Sequence, residues 1–182
     1  LYIARDSTEE LVEVVLAAWE QNIPVQIIGG GANVLVSDQG VRGLTIINHV
    51  TGVEFGNWYV GCNVAATAGT SLPVLVQKCQ LQGLSGLEWA ASVPGTVGGA
   101  IVNNAGAHGS DMAACVADVV VLEPNGPKLY DSEKLQYDYR HSILKSRKDR
   151  RFLVLLATFN LKLDQPAAIK ERMMANIAVR RR

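Results

Sequence analysis

Two clusters of glycine are the parts of this sequence best suited to chemistry. Residues 28–38 read IGGGANVLVSD, so that three consecutive glycines follow the short apolar run Pro24–Ile28. Glycines placed after a strand leave a row of backbone N–H groups uncovered, and such a row binds phosphate oxygens without any cationic side chain. The first cluster therefore predicts a neutral phosphate-binding loop. A plain turn is the alternative, but a turn does not require three glycines in a row.

The second cluster lies in residues 85–110, SGLEWAASVPGTVGGAIVNNAGAHGS. Between Glu88 and Asp111 there is no Asp, Glu, Lys or Arg, but there are five glycines. Pro94 and the glycines argue against a membrane-spanning helix. Threonine and asparagine side chains lie among the glycines, as expected where main chain and small side chains line a buried ligand. A glycine-rich loop that merely turns is an equal alternative on composition alone.

Neither cluster matches a standard nucleotide-binding fingerprint. A dinucleotide pattern that starts at Gly29 needs a third glycine at position 34, which is Val34, and residues 34–36 predict a strand where a helix should begin. The Walker pattern needs a Gly-Lys pair, which the sequence lacks. Any nucleotide bound here is therefore held by two uncharged glycine loops of another kind.

Three segments, taken together and in order, closely resemble the UDP-N-acetylmuramate dehydrogenase family, also called the UDP-N-acetylenolpyruvoylglucosamine reductases. The resemblance extends from about Leu1 to Arg182, and its segments are 29–48 (GGGANVLVSDQGVRGLTIIN), 83–109 (GLSGLEWAASVPGTVGGAIVNNAGAHG) and 139–145 (YRHSILK). It implies a flavoprotein oxidoreductase of peptidoglycan precursor synthesis. Such an enzyme uses FAD as cofactor and NADPH as reductant to convert UDP-N-acetylglucosamine enolpyruvate into UDP-N-acetylmuramate.

The resemblance implies that both glycine clusters contact FAD. The first would be the pyrophosphate loop, where the family usually has serine in place of Ala32; this loses one hydroxyl donor but no amide. In the second, Gly98 and Gly99 are expected to let the main chain pack against the cofactor. The implied cofactor-binding residues are Ile28, Gly29, Gly30, Gly31, Ala32, Asn33, Val34, Ser92, Val93, Pro94, Gly95, Thr96, Gly98, Gly99, Ala100 and Val154.

Three positions near these loops have two interpretations each. Val154 matches a position where the family's main chain meets the flavin, although a valine in a strand is more often a core residue. Asn104 and Gly106 either belong to the same wall of the cofactor site or serve the local turn, since asparagine at a turn usually bonds its own backbone.

Arg140 is implied to be the catalytic residue and, with Tyr139, to bind the substrate. Hydride addition to an enolpyruvyl ether leaves negative charge that the neighbouring carboxylate stabilises as an enolate. A fixed guanidinium can hold that carboxylate through paired hydrogen bonds as the charge develops. Without the resemblance, a solvated arginine in a basic segment would be the simpler interpretation.

The resemblance also implies that this sequence is incomplete for catalysis. The family's proton-donating serine, and the glutamate that assists it, lie in a C-terminal substrate domain beyond the equivalent of Arg182. The sequence is therefore expected to be the flavin-binding portion, with the substrate domain absent.

Composition is that of a globular protein with a real core. The chain has 182 residues, of which 48% are hydrophobic and 19% charged, and its formal net charge is zero. Zero net charge gives no general argument for binding to nucleic acid or to an anionic membrane. The three cysteines and three histidines have no metal-type spacing, so neither a metal site nor a disulfide framework is expected. We expect a monomer in the cytoplasm, although the sequence opens at Leu1 without methionine.

The pattern of elements predicts an α+β fold of two small subdomains, with a boundary near His49–Thr51. The resemblance implies the same architecture, the vanillyl-alcohol oxidase or PCMH-type FAD-binding fold with FAD in the crevice between subdomains 1–49 and 50–182. Ser7 and Glu10 predict a capping box at the start of the first helix. The other predicted elements include strands at 24–28, 34–36, 44–47, 116–122 and 152–161 and helices at 71–82 and 166–180.

Two further functions remain open at this point. The first is another flavoprotein oxidoreductase of the same superfamily that acts on a different small molecule. The second is a non-enzymatic nucleotide-binding or nucleic-acid-binding module that uses the basic segment 140–151. That segment lacks the interleaved aromatic residues, and the chain lacks the overall basic charge, that are typical of nucleic-acid binding.

Overall fold

The computed structural model describes residues 1–4, 7–59 and 62–180. Its strands are β1 (Tyr2–Ala4), β2 (Val25–Ile28), β3 (Leu44–Asn48), β4 (Val53–Tyr59), β5 (Cys62–Thr67), β6 (Leu84–Ser85), β7 (Gly106–Ala107), β8 (Ser110–Asp111), β9 (Val116–Glu123), β10 (Gly126–Asp131), β11 (Leu153–Phe159) and β12 (Lys162–Leu163). Its α-helices are α1 (Thr8–Glu20), α2 (Leu72–Leu81), α3 (Val97–Asn103), α4 (Ser132–Leu135), α5 (Ile143–Ser146) and α6 (Pro166–Arg180).

The first part of the chain forms a small parallel sheet with strand order β1-β3-β2. Helix α1 connects β1 to β2, and the Ser7 side chain caps it by accepting a hydrogen bond from the Glu10 N–H at 3.0 Å. Only this half of the predicted capping box forms, because the Glu10 carboxylate accepts a hydrogen bond from the Tyr2 hydroxyl instead. The cap and the apolar spacing thus direct one face of α1 toward the sheet.

The second part contains a five-stranded antiparallel sheet with strand order β10-β9-β11-β5-β4. One face of this sheet, which includes Val119 and Ala157, packs on helices α2 and α3 in the larger hydrophobic core. From the opposite face, Leu122 and Leu153 join the core formed by α1 and the small sheet. The two sheets are therefore held together by shared apolar burial.

The structure corrects two sequence-based predictions. Residues 34–36 do not form a strand, and Leu35 is 99% exposed. The reason is that β2 and β3 pair directly, from Val25 with Leu44 to Ile28 with Ile47, so that residues 29–43 only connect them. The glycine-rich stretch 85–110 is not one loop either, since it contains α3 and the short hairpin of β7 and β8.

Glu123, at the end of β9, is the centre of a charged cluster on the large sheet. Its carboxylate accepts hydrogen bonds from Tyr130 Oη at 2.5 Å and Arg147 Nη1 at 2.6 Å, and it pairs with Lys128 Nζ at 2.6 Å. The hydrogen bonds from Lys128, Tyr130 and Arg147 lower the pKa of Glu123 to about 2. The cluster links β9 and β10 to the segment that follows α5.

We expect Glu123→Gln to lower the free energy of unfolding by about 2 kcal/mol at pH 7, the scale for hydrogen bonds to a charged group. Because the folded-state pKa of Glu123 lies below its ordinary value of 4.5, the contribution is present above pH 4.5 and is lost as the pH falls toward 2. Urea unfolding at pH 7 and at pH 3.5 checks this, with the exposed Glu133→Gln as control. A difference that is the same at both pH values would contradict the argument.

Candidate functional site

The two predicted glycine loops lie directly against each other. A Cβ atom on Gly29 would come within 2.1 Å of Thr96 Oγ1, and one on Gly30 would lie 3.7 Å from the Cα of Gly95. Gly29 follows β2 of the small sheet, whereas Thr96 precedes α3 beside the large sheet. The structure therefore places the two glycine loops, which are distant in the sequence, in contact with each other.

The second loop is fixed by backbone hydrogen bonds to the neighbouring elements. Leu72 N–H donates to the Gly95 carbonyl at 3.1 Å, and Val97 N–H donates to the Thr70 carbonyl at 2.9 Å. Gly98 N–H donates to the Ala68 carbonyl at 2.8 Å. Since these partners lie at residues 68–72, between the end of β5 and the first residue of α2, the loop is fixed in place by the protein itself.

The reason for glycine at position 98 differs from the expectation. A Cβ on Gly98 would lie 2.9 Å from the Cβ of Ala68, so the missing side chain makes room for the protein itself. A Cβ on Gly99 would meet only Thr96 Oγ1, at 3.7 Å, and Gly99 is exposed. Of the two glycines, only Gly99 leaves an open surface beside the loop.

The first loop presents unpaired main-chain donors. Within the described part of the chain, no backbone N–H of residues 30–34 donates to a protein group, and all five residues are exposed. Gly31 has a φ of +69°, and Gly95 in the facing loop has a φ of +118°. Both values favour glycine, and they turn the two backbones without any side chain that would fill the space between them.

One side chain of the second loop also has an unused polar group. Among the described residues, Ser92 Oγ is buried and has no hydrogen-bond partner. A buried hydroxyl without a partner is costly unless a ligand or water satisfies it. The free amides of 30–34 and this hydroxyl together fit a ligand rich in oxygen acceptors, and a diphosphate is such a ligand.

The remaining predicted cofactor residues have different surroundings. Ile28 ends β2 and is half-buried, Pro94 is exposed, and Val93 packs on the margin of the larger core. Ala100 and Val154 belong to that core. The side chain of Val154 is therefore a core residue, which leaves only its main chain for the predicted flavin contact.

Arg140 lies in a tight turn between Asp138 and His141. The N–H of each of these two residues donates to the carbonyl of the other, at 3.2 and 3.0 Å, and Arg140 has a φ of +54°. Its guanidinium donates from Nη2 to the Gly106 carbonyl at 3.0 Å, while Lys145 Nζ donates to the Arg140 carbonyl at 2.8 Å. A guanidinium has five N–H donors, so most of them remain for a carboxylate.

Tyr139, the other predicted substrate residue, is 86% exposed in the same turn. The guanidinium carbon of Arg140 lies 5.9 Å from the centroid of its ring. Both predicted substrate-binding side chains thus face outward together.

Helix α3 connects the Arg140 turn to the glycine loops. The second loop precedes its first residue, and at its other end Ser142 Oγ donates to the Val102 carbonyl at 2.6 Å. Seven residues of α-helix span roughly 10 Å, given a rise of about 1.5 Å per residue. An extended dinucleotide is long enough to reach from one end to the other.

Two arginines of the basic segment 140–151 are already engaged in contacts within the chain. Arg147 bonds Glu123 and Asp149, and Arg151 Nη2 donates to Asn22 Oδ1 at 2.9 Å. Arg147 therefore stabilises the fold. Arg140, by contrast, keeps donors available.

Sequence reasoning missed the contact between Glu88 and the C-terminal helix α6. Arg172 Nη2 lies 2.8 Å from Glu88 Oε1 and 2.6 Å from Asp164 Oδ2. Burial alone would raise the pKa of Glu88, but hydrogen bonds from its own N–H, from Gly86 N–H, from Ser85 and from Arg172 lower it overall. This contact holds α6 beside the turn that leads into the second loop. No local signal marked it, since the partners are 84 residues apart.

The described residues include two free cysteines, and neither has an activated thiol. Burial, the largest cause, raises the pKa of Cys79 and of Cys115 to about 12, so both thiols stay protonated near neutral pH. The described part of the chain holds no cluster of histidine, cysteine and carboxylate groups that could bind a metal ion. Among its helices, none combines the length and apolar character needed to cross a bilayer.

Comparison with known proteins agrees with the geometry in indicating a site for a ligand that contains a diphosphate. Residues 1–128 match the family model described as FAD binding domain. The chain is 42% identical over 140 residues to the UDP-N-acetylenolpyruvoylglucosamine reductase of Synechococcus elongatus, which covers 74% of this chain and 46% of that protein. It is 39% identical over 180 residues to the enzyme of the same name from Moorella thermoacetica, which covers 96% of this chain and 56% of that protein.

Solved structures show the same fold. The crystal structure of UDP-N-acetylenolpyruvylglucosamine reductase from Thermus caldophilus matches with a TM-score of 0.78 and 31% identity, over 97% of this chain and 61% of that one. Alkyldihydroxyacetonephosphate synthase matches with a TM-score of 0.63 at 19% identity, over 88% of this chain and 31% of that one, which is a likeness of fold alone.

The chain spans about half the length of the curated relatives it matches. The predicted α+β, PCMH-type FAD-binding fold is confirmed, and FAD is the cofactor of the matched domain. On the match over residues 1–128, this chain belongs to the FAD binding domain family.

Proposed function

We propose that this chain binds FAD in the crevice between two subdomains, residues 1–49 and 50–182, with the diphosphate between loops 28–34 and 92–100. The observation that carries the proposal is the contact of Gly29 with Thr96 beside the unpaired amides of residues 30–34. Fixed N–H dipoles neutralise a diphosphate without the mobility of lysine or arginine side chains. The buried Ser92 hydroxyl, which has no partner within the described part of the chain, would supply a further donor from the second loop.

We further propose that the chain is the flavin-binding portion of an enzyme that reduces UDP-N-acetylglucosamine enolpyruvate to UDP-N-acetylmuramate with NADPH. The names of its relatives and the 139–145 motif support this activity. The partners would then be a UDP-sugar and NADPH, and neither nucleic acid nor a membrane. A monomer in the cytoplasm is part of the same proposal.

In this proposal Arg140 acts on the substrate carboxylate. Bound FAD would supply the redox chemistry by taking hydride from NADPH and giving it to the enolpyruvyl group. The negative charge that develops on the adjacent carbon spreads into the carboxylate, where the guanidinium stabilises it through paired hydrogen bonds. The Gly106 carbonyl holds one edge of the guanidinium at 3.0 Å, so the group is oriented before the substrate binds. Tyr139 would contact the same substrate from the neighbouring position.

We expect Gly30→Val to abolish FAD binding while the protein stays folded. Position 30 has room for a side chain, since the nearest atom to a Cβ there is 3.7 Å away, but that side chain would fill the space proposed for the diphosphate. The visible absorption spectrum of the purified protein and a fluorescence titration with FAD measure binding, and circular dichroism measures folding. The exposed Ala178→Leu in α6, which adds the same number of carbon atoms, is the control. Unchanged FAD affinity in Gly30→Val would contradict the placement of the cofactor.

We expect Arg140→Lys, in a full-length protein that contains this chain, to slow the substrate half-reaction by at least about 100-fold. This is the scale for losing one donor to developing negative charge, about 2.7–4 kcal/mol. Lysine keeps the charge but lacks the planar fork that pairs with a carboxylate. Stopped-flow spectra of the flavin separate this half-reaction from flavin reduction by NADPH, which should change much less.

Arg150→Lys is the matched control for this prediction, because Arg150 is also exposed and has a φ of +51°. Equal slowing of both half-reactions in Arg140→Lys would mean that Arg140 supports the fold or the cofactor, and the catalytic role would be wrong.

A further inference from the structure

Asn104 is a buried amide at the junction between α3 and the Arg140 turn. It ends α3 in the left-handed conformation, with a φ of 43° and a ψ of 60°, and is 3% exposed. Its Nδ2 donates both to the Asp138 carbonyl at 3.0 Å and to Asp111 Oδ2 at 3.1 Å, and its Oδ1 accepts from Ala113 N–H at 3.1 Å. Both N–H donors of the amide are thus used by protein groups.

These contacts answer the question that the sequence left open about Asn104. A side chain with both donors satisfied and almost no exposed surface has no donor to offer a cofactor. Its partners belong instead to two segments: residues 111–113, at the end of the β7–β8 hairpin, and the Arg140 turn at Asp138.

The Arg140 turn is also held by a second atom from the same short segment. The Gly106 carbonyl, two residues after Asn104, accepts the hydrogen bond from Arg140 Nη2. Gly106 must be glycine there, because a Cβ would come within 2.7 Å of the Asp111 Cβ and 2.8 Å of the Ser110 carbonyl. Residues 104–106 therefore hold the backbone of the turn at one point and its guanidinium at another.

We propose that Asn104 is a positioning residue for Arg140. It fixes the guanidinium relative to the C-terminal end of α3, and the second glycine loop precedes the N-terminal end of the same helix. This rests on the proposed function, in which Arg140 acts on the substrate carboxylate. A displacement of about 1 Å in such a group can cost about 100-fold in rate. Asn104 acts only through Arg140 and touches neither substrate nor cofactor.

The test uses Asn104→Gly, which removes the amide but keeps the left-handed backbone, because glycine adopts positive φ at no steric cost. Asn22→Gly is the matched control: Asn22 also has a positive φ, 54°, and its Oδ1 accepts a hydrogen bond, but it lies at the end of α1. Asn104→Asp is a second variant of nearly the same size. It loses both donors and places a carboxylate beside that of Asp111.

Hydrogen exchange measured by mass spectrometry on the peptide covering 136–143 reads the placement of the turn without reference to activity. In the full-length protein, we expect both Asn104 variants to speed exchange of the 138, 139 and 141 amides by about tenfold, and Asn22→Gly to leave it unchanged. We expect FAD affinity to be kept and the substrate half-reaction to slow by about 100-fold, with flavin reduction by NADPH nearly unaffected.

Three outcomes overturn the proposal. Loss of FAD binding with unchanged exchange at 136–143 would make Asn104 part of the cofactor wall. Unchanged exchange with FAD still bound would mean that the amide does not hold the turn. Faster exchange with an unchanged substrate half-reaction, where Arg140→Lys does slow it, would mean that the position of the turn is irrelevant to rate. If Arg140→Lys has no effect either, it is the proposed function that fails, and exchange alone then decides whether Asn104 holds the turn.

Discussion

The two glycine loops can touch only because residue 29 has no side chain. Any Cβ there would collide with the hydroxyl of Thr96. The backbone of Thr96 is fixed, because Gly95 is hydrogen-bonded to Leu72 at the start of α2 and Val97 to Thr70. The contact joins the end of the small parallel sheet to the margin of the large antiparallel sheet. The apolar core that α1 shares with Leu122 and Leu153 holds the same two sheets from behind. A ligand site at this contact is therefore supported on both sides by packed structure.

Helix α3 gives the candidate site its length. Val97, at its first turn, is buried and hydrogen-bonded to Thr70, whereas Asn104 and Ser142 attach the Arg140 turn to its other end. One short helix therefore determines the separation between the loop proposed for the diphosphate and the guanidinium proposed for the substrate carboxylate. Groups held on one rigid element keep their relative geometry better than groups on independent loops. This explains how an exposed arginine can still have a defined place.

The candidate site depends on main-chain N–H groups, because two of the arginines elsewhere in the chain are already paired with carboxylates. Arg147 and Arg172 are each paired with two carboxylates, and both stabilise contacts between distant segments. The loop at 30–34 offers unpaired N–H groups and no cationic side chain. Main-chain dipoles held in place by the fold require no reorganisation when an anion binds. The absence of a Rossmann or Walker pattern is consistent with this way of binding a diphosphate.

Local signals in the sequence were sufficient for α1, α2 and α6, because capping and apolar spacing act between residues close in the chain, but they did not predict the shorter helices α3, α4 and α5. Ser7 caps α1 as predicted, and α6 spans Pro166–Arg180 as predicted. The glycine clusters predicted a ligand site, and the resemblance implied the FAD-binding fold that was confirmed. Tertiary structure alone decided that residues 34–36 form no strand, since β2 pairs directly with β3 and residues 29–43 only connect the two. It also decided that Gly98 faces Ala68 and that Asn104 holds the Arg140 turn at the Asp138 carbonyl, because those partners are distant from each other in the chain.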